Sequence, residues 1–274
     1  TDNLFHYSAY LGGGNNPFVL NSDPNETDFR VRNLTLPADL PMGRLESRRD
    51  LLQSLDRTKR QREPLMEDMD EHLGNAFELL SGSAARDAFN IGAEPDKLRD
   101  AYGRHTFGQS ALLARRMVER GATFVTVNCV PWDHHGSSNR LPTEEGANLL
   151  IPPLDAAIAG LVNDLRDRGL FEKTLVVAMG EFGRTPRINQ YAGRDHWGRT
   201  FSVMMACGGM KMGQAIGHST DRGEDVRDRP ISPQDVAATI YHHLGIDGSR
   251  VTFHDQLDRP LRVIEDGEPI RELF

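Results

Sequence analysis

The chain changes hydrophobic rhythm about halfway along. Between residues 43 and 120 apolar positions recur every three or four residues, the period of one helix face. "RLESRRDLLQSLDRTKRQ" sets Leu45, Leu51, Leu52 and Leu55 among charges, and "PLMEDMDEHLGNAFELLSG" carries Met66, Met69, Leu73, Phe77 and Leu80 at the same steps. "SAARDAF" and "PDKLRDAYG" predict shorter helices, and "TFGQSALLARRMVERG" a longer one closed by Gly121. Beyond it the pattern switches. "ATFVTVNCV" (122–130) predicts a strand, as do "KTLVVAMG" (173–180) and "RTFSVMMACGG" (199–209). Between the first two, "EEGANLLIPPLDAAIAGLVNDLRDRG" places Leu150, Leu154, Ile158, Leu161 and Leu165 on one helix face, with Gly169 as its stop. "SPQDVAATIYHHLGI" predicts a helix with Ser232 as N-cap, Pro233 at the first helical position and Asp235 completing a capping box.

Strand, helix and strand with continuous apolar strands predict a parallel sheet covered on both faces. Three regions follow: an irregular segment 1–42 rich in glycine and proline, a helical region 43–120, and an α/β core 121–274. They form one continuous domain. Parallel strands point the same way, so the loops after Val130 and Gly180 are expected at one carboxyl edge, where open α/β sheets place ligands.

Composition narrows the function. A net charge of -8 over 274 residues argues against general nucleic-acid binding, which wants a basic face. No stretch is long enough to span a membrane. Cys129 and Cys207 sit in apolar runs and read as buried, unpaired thiols. Gly12–Gly14 lacks a following Gly-Lys-Ser/Thr, so it is no phosphate loop.

The two expected edge loops concentrate chemistry. "PWDHHGSS" holds Asp133, His134 and His135, and "GEFGRTPRINQYAGRDHWGR" holds Glu181, Arg184, Arg187, Arg194, Asp195 and His196. A carboxylate with two imidazoles, Asp133, His135 and His196, suits Zn²⁺, Mn²⁺ or Fe. Glu181 is a further candidate ligand of the same or a second ion. Asp195 either joins the ligands or orients His196 from behind. Arg184, Arg187 and Arg194 could hold the oxygens of a phosphate or sulfate, although Arg184 with Glu181 could equally be a structural ion pair. Trp132 and Trp197 read as packing walls, and His243 as a hydrogen-bonded core histidine. Nothing in the pattern names partners for His105 or His218.

The segments "WDHHG", "TLVVAMGEFGRTPRIN", "GRDHWGRTFSVMMACGG", "DVAATIYHHLGID" and "GEPIRELF" resemble the domain of unknown function 1501 family, from about Leu11 to Phe274. That family is similar to the alkaline phosphatase-like superfamily, which includes sulfatases. The resemblance implies a three-layer α/β/α sandwich with a mainly parallel sheet and a helical insertion. It implies a divalent metal centre (Zn, Mn or Ca) on Asp133, His135 and His196, with Glu181 in the place of a second-metal acid. It also implies a small anionic ester as substrate and a periplasmic or secreted location. By analogy with the superfamily a "Gly-Gly-x-Ser-His-x-Asp" type segment would supply the nucleophile; residues 1–42 lack it, so that group is expected upstream of Thr1. The expectation is a metal-dependent hydrolase of phosphate or sulfate esters. The alternatives are a non-catalytic binding or scaffold protein on the same fold, or an incomplete piece without activity.

Overall fold

A computed structural model describes residues 15–31, 40–55, 82–129, 132–137, 140–255 and 257–274. The helical rhythm of the first half becomes α1 (Met42–Leu55), α2 (Ser83–Phe89), α3 (Asp96–Tyr102) and α4 (Thr106–Glu119). The helix expected around Met66–Leu80 lies outside the described residues. His105 begins α4, its ring Nδ1 accepting a hydrogen bond from the Gly108 N–H at 3.1 Å. That satisfies one of the N–H groups a first turn leaves free.

The long helix α5 (Thr143–Asp167) runs unbroken through Pro152 and Pro153. Each proline deletes one helical N–H. The carbonyls deprived of that partner, four residues back, belong to Asn148 and Leu149, both exposed, where water can serve them. Gly169 adopts φ 67° and Leu170 N–H returns to the Leu165 carbonyl at 2.8 Å, closing the helix as its sequence predicts. Phe107, Ala111, Leu112 and Leu113 of α4 pack with Tyr102, Ile91 and, from α5, Leu150 and Ala157. Gly160 lets α3 approach α5, since a Cβ there would lie 2.9 Å from the Tyr102 Cα.

Charge is buried inside this helical body. The Arg115 side chain has no exposed surface and meets Glu94 at 2.8 Å, Glu119 at 2.7 Å and Asp164 at 2.7 Å. Arg116 pairs with Glu94 and donates from Nε to the Ala88 carbonyl at 2.9 Å. Arg168 binds Asp164 at 2.7 Å and Glu119 at 2.8 Å. Tyr102 donates its hydroxyl to Asp164 at 2.9 Å. Three guanidinium groups thus face three carboxylates. Burial alone would raise the Glu94 carboxyl, but Arg115 and Arg116 outweigh it and hold the group below its ordinary range.

The second half departs from expectation. Its strands are β1 (Val176–Ala178), β2 (Gly183–Arg184), β3 (His196–Trp197), β4 (Met204–Ala206), β5 (His218–Ser219) and β6 (Val226–Asp228), then β7 (Thr252–His254) and β8 (Pro260–Arg262) after α6 (Pro233–His243). Among the described residues they form two-stranded antiparallel sheets: β1 with β4, β2 with β3, β5 with β6 and β7 with β8. The mainly parallel three-layer α/β/α sandwich is therefore not the fold. The reason lies between β1 and β4. A parallel pair needs a crossover, usually a helix, whereas here the chain leaves β1, folds into the β2–β3 hairpin and returns with Ala206 opposite Val176. Residues 122–129 join no ladder either, and Phe124 is 67% exposed. Apolar alternation makes a strand only where a partner strand receives it.

The capping box of α6 forms as its sequence predicts: Ser232 Oγ accepts from Asp235 N–H at 3.1 Å, and Asp235 Oδ2 from Ser232 N–H at 2.8 Å. Thr239 and Asp235 also accept the Ile270 and Glu268 N–H groups, tying residues 268–270 to α6. His243 contacts the Lys173 carbonyl at 3.2 Å. Cys129 and Cys207 are unpaired, and burial pushes both thiols up. No helix among the described residues is long and apolar enough to cross a membrane.

Arg115→Met should cost about 3–5 kcal/mol of stability, because Glu94 and Asp164 would stay buried without their cation; urea unfolding measures it. Acid should act through the same group. A carboxyl with a depressed folded pKa contributes fully above its unfolded value, near 4.5, and loses that contribution as pH falls through the folded value. Unfolding midpoints followed below about pH 4.5 should fall less steeply in Glu94→Gln than in the native chain.

Candidate metal centre

Two loops distant in sequence meet through their glycines. Gly136, at φ 70°, has no room for a Cβ, which would lie 2.0 Å from the Tyr191 carbonyl oxygen. A Cβ on Gly193 would lie 2.0 Å from the backbone of His135. The N–H of Arg194 donates to the His134 carbonyl at 2.9 Å, and that of Thr143 to the Ala192 carbonyl at 2.9 Å. Main chain therefore lies directly on main chain, and the start of α5 is part of the seam. Ala192 adopts φ 56° to make this turn, a left-handed conformation uncommon outside glycine.

The seam delivers Asp133 and His135 from one loop and His196 from β3. Arg184 lies opposite His196 across the β2–β3 pair. Asp133 Oδ1 is 2.7 Å from His135 Nε2 and 3.8 Å from His196 Nε2, and the two imidazole nitrogens are 3.1 Å apart. One ligand atom from each residue falls within 4.8 Å of the others. Neighbouring ligands on a tetrahedral zinc ion lie about 3.3 Å apart, from bonds of about 2.0 Å. The three spacings bracket that value.

Protonation sharpens the geometry. His135 Nδ1 is 3.0 Å from Asp195 Oδ1. The His135 and Asn189 hydrogen bonds hold the Asp195 carboxyl below its ordinary range, so it is an acceptor. Nδ1 of His135 must then carry the proton, and in the neutral ring Nε2 presents a lone pair. Nε2 itself lies against a carboxylate oxygen and another imidazole nitrogen. Burial alone would raise the Asp133 carboxyl, but His135, Arg140 and Arg184 together lower it. Ligand-capable atoms of the three residues thus meet at one place, where a cation could be held. Two imidazoles and one carboxylate fit Zn²⁺, Mn²⁺ or Fe, and do not match the all-oxygen shell of Ca²⁺.

The other expected residues divide. Asp195 stands behind His135, the position of a ring-orienting carboxylate. Glu181 lies outside the converging group, its Oε1 3.7 Å from Arg184 Nη2. Arg184 is at the centre, with Nη1 3.2 Å from Asp133 Oδ1 and Nη2 3.2 Å from the Trp132 carbonyl. Arg194 donates to the Thr185 and Pro186 carbonyls at 2.6 and 2.9 Å, bracing its own loop. Arg187 is exposed. His134 turns away under α5, its ring filling the space a Cβ on Gly146 would take, and burial lowers its pKa.

The chain matches the family described as protein of unknown function (DUF1501) over residues 2–274. It belongs to the DUF1501 family. No curated protein and no solved structure matches it.

In this DUF1501 chain the sequence reading missed Arg140, whose Nε lies 3.4 Å from Asp133 Oδ2, and the glycines that let the loops touch. Signals for the latter existed: Gly136 directly follows Asp133–His135, and Gly193 precedes Arg194–His196 by one residue. His105 and His218 also gained partners, the first as the cap of α4 and the second with Asp228 at 3.0 Å.

Gly193→Ala tests the seam. The contact it violates is with backbone, which cannot swing aside, so the loops must part. Metal uptake by the variant, followed by calorimetry, should weaken at least about tenfold, the scale of losing support around a ligand, while the helical circular dichroism stays native.

Proposed function

We propose that this chain is a metal-dependent hydrolase of phosphate or sulfate esters. The reading rests on one observation, the convergence of one possible ligand atom each from Asp133, His135 and His196. A divalent ion held there would supply Lewis acidity and a water of lowered pKa. Asp195 keeps the Nδ1 proton of His135 in place and so keeps Nε2 available as a ligand. His196 is 55% exposed, which leaves the centre open to a substrate. Arg184 and Arg140, already beside Asp133, offer guanidinium donors to the oxygens of a tetrahedral anion. The Phe182 ring lies against the His196 ring, tilted by 41° with centroids 4.3 Å apart, and limits its rotation.

A second reading has its own support. Asp133 is neutralised by its contacts with His135, Arg184 and Arg140. On that reading the cluster is a clasp that ties two loops together in a binding or scaffold protein.

Metal analysis separates them. Protein stripped with chelator and titrated with Zn²⁺ or Mn²⁺ should take up one ion, and His196→Ala should lose more than about 100-fold in affinity, beyond the loss typical of an outer-shell change. The loaded protein should then hydrolyse aryl phosphates or aryl sulfates. Absence of metal uptake by the native chain favours the clasp. Uptake without turnover of any ester favours a binding role.

A further inference from the structure

Asn189 makes all four hydrogen bonds its amide can make, and they run in two directions. Its Oδ1 accepts from the Tyr191 N–H at 2.9 Å and the Gly193 N–H at 3.0 Å. Its Nδ2 donates to the His135 carbonyl at 3.1 Å and to Asp195 Oδ1 at 3.2 Å. The orientation admits no flip. Both backbone N–H groups can only donate, while a carbonyl and an ionised carboxylate can only accept. The first pair of bonds is the ordinary turn chemistry of asparagine. The second pair is not local, because His135 lies 54 positions away.

We infer that Asn189 is a positioning residue for the His135 imidazole. It fixes the ring from both ends, through the carbonyl of His135 itself and through the carboxylate that takes the Nδ1 proton. Asp195 is 57% exposed, so water competes for its oxygens and it cannot hold one orientation unaided. Asn189 supplies the missing constraint: Asp195 Oδ1 receives His135 Nδ1–H and Asn189 Nδ2–H together. The same amide closes the Tyr191–Gly193 turn that presses Gly193 on His135. Loop closure and ring orientation are thereby one event. The inference rests on the metal-centre reading for its purpose, but its geometry does not.

The test uses the full chain with Asn189→Ala, Asn189→Asp, Asp195→Asn and the double variant Asn189→Ala/Asp195→Asn. Asn189→Asp keeps the acceptor that serves the turn and removes both Nδ2 donors. Two readouts are taken: Zn²⁺ affinity by calorimetry, and the ¹⁵N shifts of the His135 ring in metal-free protein, which report which nitrogen carries the proton. Both Asn189 variants should lose about 10–100-fold in Zn²⁺ affinity and shift the His135 ring nitrogens away from their native values. In the double variant the loss should fall short of the sum of the single losses, as for residues acting through one another. A native ring state and native affinity in Asn189→Asp would overturn the inference and reduce Asn189 to a turn former. If the native chain binds no Zn²⁺, the metal reading fails by itself. The ring shifts then decide: unchanged shifts in both Asn189 variants overturn the positioning role, and altered shifts sustain it.

Discussion

A guanidinium with no exposed side-chain surface dictates much of this molecule. Arg115 cannot be left without anions in a low-dielectric interior, so Glu94, Glu119 and Asp164 must all be brought to it. Those carboxylates come from the segment before α3, from α4 and from α5. Satisfying Arg115 therefore sets the three helical pieces against one another and leaves α5 little freedom to slide. The start of α5 carries that restraint into the loops. Thr143 N–H holds the Ala192 carbonyl, and Gly146 receives the His134 ring. A charge buried far along α5 from these contacts thus bears on where the loops can meet.

At the meeting point the balance of charge is different in kind. The helical network closes on itself, with each carboxylate facing arginine. Around Asp133 the groups are half-exposed, and two imidazole nitrogens and a carboxylate oxygen share one small space. Arg184 approaches two of these atoms, at 3.2 Å from Asp133 Oδ1 and 3.5 Å from His135 Nε2. It relieves part of the crowding of acceptors, but its 3.5 Å approach to Nε2 is too long for a good hydrogen bond.

What could be read from the sequence follows the range of the forces involved. Helix α5, its Gly169 stop and the Ser232–Asp235 capping box are set by residues within a few positions of one another, and all formed as expected. Asp133, His135 and His196 stood out because a carboxylate with two imidazoles is a set that suits a metal ion. The sheet was not legible. Apolar strands such as "TLVVAMG" read alike in parallel and antiparallel sheets when buried, and only the connection distinguishes them; the β2–β3 hairpin was hidden in a loop full of charge. Asn189 was invisible for the same reason that it matters. Half of its bonds are those of any turn asparagine, and the other half reach a residue that folding alone brings near.

The convergence of the two loops therefore has a cause other than the one the sequence pattern suggested. A common sheet edge would have placed Asp133 and His196 together through parallel strands, and the described residues form none. Local pieces do the work instead. The pair Arg184 and His196 is set by the β2–β3 ladder, and Asp133 with His135 by two steps along one loop. The contact of Gly136 and Gly193 with the opposing backbone, fastened by Asn189 and by Arg194 N–H, joins one half to the other, main chain on main chain. Side chains larger than hydrogen at either glycine would hold the halves apart, whatever the rest of the fold did. The chemistry of the centre accordingly depends on two positions that carry no chemistry themselves.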